Sequence, residues 1–412
     1  MKCRSCGGDC QEVLGLGEQP ASNALLKTAD EHEETYPLRV AVCTTCWLLQ
    51  TTFDVDEKRL FSDEYPYFSG QSKQWVAHCN EFAEAAVKRF GLNPGMANPP
   101  QILPYAGYGG GSCVIEVGGN DGTSLIPFKG RVASVWNIEP SKSVAAASEA
   151  AGIPVLPYFF GVPQGQQLQA DLLIANNVMA HTPNINAFVK AIHATLKPHG
   201  TAAIEFPWAL NLIEGVQFDT IYHEHYSYLS LRALEPLFAR HRLKIYDVQE
   251  LPTHGGSLRI FAHRTDVACP RVTSAVFEAR RREIPLTVPE TYERFARRAR
   301  GIREQFWDFL GGHQHEVIAG YGAAAKGNTF LNFCQLTRRD IPFVADTTPA
   351  KIFKFLPGSR IQIVSEKMLI EERPKYVLIL PWNWSSEIME KLGIIRSWGG
   401  RFVTAIPELK IT

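Results

Sequence analysis

The chain carries no excess of either charge: 42 Lys and Arg balance 42 Asp and Glu, for a formal net charge of zero. A protein held on nucleic acid by phosphate contacts shows a basic excess or stripe, so the balance argues against that class. Long apolar runs are also missing. The longest strongly apolar run, residues 376–382, is far short of the ~20 residues a membrane span needs. The opening Met1-Lys2-Cys3-Arg4 has no apolar stretch of the signal-peptide kind, so a cytoplasmic location is expected. Cysteine is scarce beyond position 46: five of the nine lie at or before it. That distribution suits a metal site near the start better than a secreted disulfide framework. What is present is ordinary for a globular protein, with 45% hydrophobic and 20% charged residues over 412 positions. At ~150 residues per domain this allows two or three domains.

Cys3-x-x-Cys6 and Cys43-x-x-Cys46 form two knuckles, and a strand-like segment at 38–42 leads into the second. Four thiolates suit tetrahedral Zn²⁺ in a closed structural site, which adds folding energy rather than chemistry. Cys10 is a spare that would compete for ligation. A redox pair of C-x-x-C motifs is the alternative.

Residues 63–70 are aromatic and turn-rich, and 72–90 read as a helix. A proline- and glycine-rich segment over 93–112 reads as a loop or boundary. It ends at a buried strand, 113–117, followed at once by Gly118-Gly119-Asn120-Asp121-Gly122. A strand that ends in a glycine turn and opens a helix is a nucleotide-binding element of the Rossmann type. The spacing is the E-x-G-x-x-x-G pattern of S-adenosylmethionine methyltransferases, starting at Glu116, and not the dinucleotide G-x-G-x-x-G. A second strand, 133–138, ends at Glu139, where a carboxylate can accept both ribose hydroxyls. A third, 171–175, runs into Asn176-Asn177-Val178-Met179-Ala180-His181; helix 185–196 and strand 200–206 follow.

The densest group of titratable side chains comes next, F-D-T-I-Y-H-E-H-Y-S-Y-L-S over 218–230. A histidine there can act as a base near neutral pH. On a helical turn Tyr222 and His225 share a face as an acid/base pair; on a strand His223 and His225 would share one as a metal pair. An aromatic loop whose histidines only bond backbone is the bland reading. His254 and Arg259 then flank a polar turn into strand 258–263, and either face the substrate or cap a sheet edge. Residues 278–304 are Arg-rich, with Tyr292, Phe295, Ala299, Ile302, Phe306 and Phe309 at helical spacing, as an amphipathic connector requires.

Beyond the connector a second α/β unit begins. Strand 317–319 runs into a glycine-rich loop containing Gly322, Lys326 and Asn328, an anion cradle of backbone N–H groups, helix dipole and ammonium. Strand 341–345 ends at Asp346, Lys351 follows, and strand 376–380 closes with Pro381-Trp382-Asn383. The Lys is not in the P-loop position.

With these pieces in place the chain resembles the sugar C-methyltransferases that act on nucleoside-diphosphate keto-deoxysugars. The motifs that carry the resemblance run along nearly the whole length: E-V-G-G-N-D-G, N-N-V-M-A-H, I-E-F-P, Q-F-D-T-I-Y-H-E-H, L-P-T-H-G-G-S-L-R, G-Y-G-A-A-A-K-G-N-T and L-P-W-N. It implies an α/β protein with a small zinc-binding N-terminal domain (1–68), a central Rossmann-like methyltransferase domain (69–287) and a C-terminal Rossmann-like domain (288–412). It implies S-adenosyl-L-methionine as cofactor, with Glu116, Gly118, Asn120, Asp121, Glu139 and Asn177 around it and Tyr67, Ser69 and Ser72 on a mobile lid. His225 falls on the position of the base, with Tyr222, Glu224 and His181 beside it. Glu205, His254, Arg259, Gly322, Lys326, Asn328, Asp346 and Lys351 would meet the nucleotide-sugar, Cys3, Cys6, Cys43 and Cys46 the structural Zn²⁺. The expected partner is an NDP-4-keto-deoxysugar, with no nucleic acid or membrane and a monomeric enzyme. The implied reaction is methylation at C3 through an enolate, in which His225 takes the C3 proton and Tyr222 or His181 hydrogen-bonds the enolate oxygen. Three positions depart from the family pattern: Gly119 where Ser is frequent, Trp208 where His is common, and Ala324 where Pro is frequent. Trp208 is the one expected to alter the sugar pocket. The rivals are an NAD(P)-dependent nucleotide-sugar oxidoreductase built on 317–346, an RNA methyltransferase with a zinc-ribbon module, and a non-catalytic scaffold.

Overall fold

The structure, a computed structural model, describes residues 1–60, 68–95, 110–161 and 168–412, so Tyr67 and most of the two turn-rich segments lie outside the described residues. Strands β1 (Cys10–Gln19), β2 (Tyr36–Cys43) and β3 (Leu49–Thr51) form an antiparallel sheet. The two knuckles meet at its end: the Sγ atoms of Cys3, Cys6, Cys43 and Cys46 all lie within 4.8 Å of one another. Backbone N–H groups of Ser5, Gly8, Thr45 and Cys46 point at three of the sulfurs, each at 3.4 Å, an arrangement that favours thiolates. Cys10 stays outside this cluster, and burial pushes its thiol up to about 12.

The central sheet contains β4 (Cys113–Val117), β5 (Ser134–Ile138), β6 (Val155–Leu156), β7 (Ala170–Asn176) and β8 (Leu196–Pro207). The two-residue β9 (Ser227–Tyr228) leaves it, and β10 (Leu243–Leu251) and β11 (Ser257–Arg264) complete it. The order is β10-β11-β8-β7-β4-β5-β6, parallel from β6 through β8, with β11 antiparallel to both neighbours. Strand β4 is buried along its whole length, as a strand covered on both faces must be. The chain order reverses between β4 and β7, so the crevice outside their carboxyl ends is the natural ligand site.

One expectation fails here. The glycine turn after β4 does not open a long helix; a single 3₁₀ turn, Ile126–Phe128, follows. Pro127 supplies no N–H to extend it, and Gly130 at φ +75° turns the chain back. Helix Lys73–Phe90 covers that face instead, burying Phe82, Ala83 and Ala86 against Val114, Phe128 and Ile174. The Arg-rich connector is likewise not one helix but two, Ser274–Arg282 and Pro289–Gly312, broken at 283–288 where Pro285 and Pro289 interrupt the N–H series. The six apolar residues expected on its inner face are all buried on the second helix.

The C-terminal sheet runs β14-β13-β12-β15-β16-β17, from β12 (Ile318–Tyr321), β13 (Phe343–Asp346), β14 (Gln362–Ser365), β15 (Tyr376–Ile379), β16 (Arg401–Thr404) and β17 (Lys410–Ile411). All pairs are parallel except the last. The three sheets are stitched together around residues 218–230. Strand β9 pairs antiparallel with β3, so the two positions after Tyr226 belong to the cysteine-bearing sheet. Helix Ala325–Phe333 of the C-terminal unit donates from Thr329 Oγ1 to the Ile221 carbonyl, 3.1 Å away.

Because the cysteine cluster closes the sheet that holds β9, metal loss should reach the central domain. A Cys6→Ala, Cys43→Ala double variant is expected to carry no stoichiometric zinc by atomic spectrometry and to melt several degrees lower than the parent. Full zinc content, or an unchanged melt without zinc, would refute the structural role.

Candidate active site

The carboxyl ends of β4 and β7 supply the crevice. Gly118 has φ +63°, and an added Cβ would lie 2.7 Å from Val178, so the turn needs glycine there. Asn120 (φ +52°) and Asn177 (φ +56°) are also left-handed, the strained backbone that clusters at functional sites. Glu139 accepts from the backbone N–H groups of Asn120 (3.1 Å) and Ser141 (2.9 Å), which aims its carboxylate across the turn. Two buried oxygens on the same edge, Glu116 Oε2 and Asn177 Oδ1, accept no hydrogen bond. Burial pushes the Glu116 carboxyl up to about 8. Acceptors without donors at the carboxyl end of the parallel strands fit a ligand with an ammonium and ribose hydroxyls. The predicted lid residues behave differently. Ser69 N–H reaches Asn120 Oδ1 (3.0 Å), Ser69 Oγ donates to Asp121 Oδ1 (2.7 Å) and Gly70 N–H to Asp121 Oδ2 (2.8 Å). Asp121 thus holds the 69–71 turn, while Ser72 Oγ caps helix Lys73–Phe90 by accepting from Trp75 N–H.

The segment 222–225 is neither helix nor strand but a turn, closed by His225 N–H to the Tyr222 carbonyl at 2.9 Å. As on a helical turn, Tyr222 and His225 fall on one side, with ring centroids 4.1 Å apart at 32°. His181 meets His225 edge-on, centroids 4.7 Å apart. His225 Nδ1 lies 2.9 Å from the Thr220 carbonyl, which can only accept, so Nδ1 carries the proton and Nε2 is the basic atom. Burial first, and then the neighbouring His181, hold the His225 imidazole well below its usual 6.5. Burial likewise draws His181 down to about 4.

His223 and Glu224 point the other way. His223 is buried with its ring edge-on to Tyr36. Glu224 accepts from Asn23 Nδ2 at 2.6 Å, and burial lifts its carboxyl to about 7. The metal pairing of His223 with His225 is therefore not formed. Among the described residues the one His/Cys/Asp/Glu group placed to hold a metal is the four-cysteine cluster.

Glu205, Arg259 and His254 come together behind the crevice. Glu205 accepts from Arg259 Nη2 (2.6 Å) and Thr253 Oγ1 (2.9 Å) and meets His78 Nε2 (2.8 Å). Burial alone would raise its carboxyl, but His78, Arg259 and Thr253 outweigh it and hold it at about 2. Arg259 Nη2 pairs with Glu205 while its buried Nε has no partner, and His254, left-handed at φ +54°, contacts Asn177 Nδ2 at 3.2 Å. Burial lowers its imidazole to about 4.

The C-terminal unit closes the far side. Half-buried Lys326 donates to Asn383 Oδ1 (2.8 Å) and lies 4.8 Å from the Trp382 ring centre; Trp382 Nε1 donates to Asp219 Oδ2 (2.7 Å). Asp219, Trp382, Asn383 and His78 are members of the site that the sequence analysis did not single out. Q-F-D-T and L-P-W-N, each ending beside an identified turn, were the available signals for the first three; His78, on a surface-like helix, had none. Asp346 accepts from the Ala323 and Thr348 N–H groups, Lys351 donates to the Ala323 carbonyl, and Gly322 (φ +89°) packs on Pro381. Both amide atoms of buried Asn328 lack a partner.

Trp208 overturns an expectation. It is fully buried, with its indole N–H bonded to Glu283 and Arg282 over its ring, so it serves the core and does not shape a sugar pocket.

Comparison with known proteins agrees with this arrangement. The zinc binding domain model of the methyltransferase-13 family matches 3–61, a methyltransferase domain model matches 76–248, and the C-methyltransferase C-terminal domain model matches 252–407. C-methyltransferase NovU of Streptomyces niveus is 32% identical over 422 residues, covering 100% of this chain and 96% of its own. The chain belongs to the C-methyltransferase family. Among solved structures, magnesium protoporphyrin IX methyltransferase of Synechocystis PCC 6803 with bound SAM covers 50% of the chain and 88% of its own, at 14% identity and TM-score 0.33. A Haloferax volcanii complex of the Trm112 activator with a methyltransferase covers 47% and 94%, at 13% and 0.35. The C-methyltransferase has an S-adenosylmethionine-dependent methyltransferase domain and a four-cysteine zinc-binding domain. No helix among the described residues is long and apolar enough to cross a membrane.

Glu224 gives a stability test. Its folded value, about 7, lies above the free value of 4.5, so it contributes stability below pH 4.5 that is lost as pH rises to about 7, at ~1.4 kcal/mol per pH unit. Glu224→Gln keeps an acceptor for Asn23 and removes the titration. Its melting midpoint should fall less than the parent's between pH 5 and pH 8; parallel curves would contradict the burial argument.

Proposed function

We propose that the C-methyltransferase transfers a methyl group to C3 of a nucleoside-diphosphate 4-keto-6-deoxysugar, with His225 as the base. The observation that supports this reading is the His225 ring: neutral, with Nδ1 tied to the Thr220 carbonyl and Nε2 left as the proton acceptor. A carbon acid needs such a base. C3 beside a 4-ketone is acidic enough because the carbonyl oxygen takes up the charge as an enolate.

S-adenosylmethionine, when bound, supplies an electrophilic methyl carbon. The chain's own residues do the rest. His225 Nε2 accepts the C3 proton, and the resulting imidazolium is stabilised by its Nδ1–H bond to the Thr220 carbonyl. Tyr222, stacked on that ring, and His181, edge-on to it, are the donors nearest to where the enolate oxygen would form. Each such donor is worth on the order of 10²–10³ in rate, and the base ~10²–10⁴. Glu116, Glu139 and Asn177 take the cofactor's polar groups; Lys326, Asp346 and Lys351 take the nucleotide-sugar.

In heavy water, the parent enzyme with a 4-keto-6-deoxysugar nucleotide should exchange C3–H for deuterium and, with S-adenosylmethionine, add about 14 mass units, the difference between CH₃ and H. His225→Ala should lose exchange and methylation together. Methylation that survives in the variant would remove His225 from the role, and neither event in the parent across several nucleotide sugars would defeat the reading.

The pH profile is a second check. A base held well below 6.5 stays unprotonated at neutral pH, so the acid limb of kcat/KM should lie below pH 6.5. A limb at or above 6.5 would assign proton removal to another group.

A further inference from the structure

We infer that Phe353 is the platform on which the base of the nucleotide stacks, an inference that rests on the nucleotide-sugar reading above. Among the described residues Phe353 is the most exposed large hydrophobic side chain, 75% accessible, and its backbone is left-handed at φ +70°. For an aromatic residue that conformation is an outlier, kept only where its surroundings over-determine it. They do so here: Phe353 N–H donates to the Ile363 carbonyl (2.8 Å), Ile363 N–H to the Lys354 carbonyl (2.8 Å), and Phe355 exchanges two backbone bonds with Leu26 (2.8 and 2.9 Å). Rigid backbone thus holds an aromatic ring out into solvent at a cost in strain and exposed apolar surface.

Its place in the fold explains what such a ring can do. It sits between β13 and β14, in the connection that leaves the carboxyl end of β13, on the side of the sheet away from the β12–β15 reversal. In doubly wound sheets a nucleotide lies with its phosphates at that reversal and its nucleoside toward the second strand. Asp346 ends that strand here, and Lys351 follows at the rim. The interior end of the same path is fixed by contacts. Lys351 Nζ donates to the Ala323 carbonyl (2.9 Å), three residues before Lys326 at the start of helix Ala325–Phe333, and Phe353 lies two residues beyond Lys351. Aromatic ring, then Lys351 and Lys326, follows the order of base and diphosphate in an extended nucleotide-sugar.

The test uses the full chain and calorimetric titration with dTDP, UDP and inorganic pyrophosphate. Phe353→Ala should weaken both nucleoside diphosphates roughly tenfold, the loss of one base–aromatic stack, and leave pyrophosphate unchanged. Phe353→Trp should keep the affinity and add fluorescence quenching on binding. Phe353→Gly, which relieves the left-handed strain, should raise the melting midpoint while losing affinity. Parent-like affinity in Phe353→Ala would overturn the platform and leave the nucleotide-sugar reading standing; a parent that binds neither nucleoside diphosphate would overturn both. Loss of self-association in Phe353→Ala with affinity intact would also overturn it and mark the ring as an interface between copies.

Discussion

The hydrogen bond from His225 Nδ1 to the Thr220 carbonyl is the constraint on which the rest of the site depends. It selects one tautomer of one ring, and it holds only while the 218–226 backbone keeps its shape. Every part of the molecule contributes to that shape. The C-terminal helix grips the Ile221 carbonyl through Thr329, Tyr226 N–H bonds the Ala180 carbonyl beside His181, and Thr51 N–H of the zinc-binding sheet bonds the Tyr226 carbonyl. The Tyr226 hydroxyl then donates to the Val55 carbonyl. The four-cysteine domain is thus tied to the proposed base through this chain of backbone bonds.

Environment also divides the site's carboxylates by role. Glu205 and Glu116 both lie on the central sheet and both are buried, yet one is held at about 2 and the other pushed to about 8. Burial acts on both in the same direction; Arg259, His78 and Thr253 surround the first, whereas the second has only the neutral side chains of Ser124 and Asn176 and no cation. Glu205 is a finished ion network that positions the Thr253–His254 turn. Glu116 is unfinished, which is the state expected of a group that waits for a cationic ligand.

Asn120, Asn177 and His254 are left-handed without being glycine, and they lie on loops around one crevice. Gly256 beside them, at φ +110°, leaves no room for a side chain: a Cβ would lie 1.8 Å from Asn211. Such close approach lets the β10–β11 connection lie against Trp382 of the C-terminal unit, so the crevice has a third wall.

The sequence by itself determined the class of fold and pointed to most of the residues proposed for the site, because these depend on local signals. Strand, glycine turn and acidic strand end are read within a few residues, the paired C-x-x-C knuckles carry their ligand count in their spacing, and Tyr222 and His225 at a separation of three already share a face in any tight turn. Only the tertiary structure decided which of the adjacent side chains turn inward. His223 and Glu224 are as polar as their neighbours, but the zinc-binding domain takes them through Tyr36 on β2 and Asn23 in the β1–β2 connection. It also decided that helix Lys73–Phe90 replaces the helix expected after the glycine turn, that Trp208 is core, and that Asp219 meets Trp382 across 163 positions. Contacts between residues so far apart leave no periodicity along the chain, because they are set by how three sheets pack and not by the pattern within any one of them.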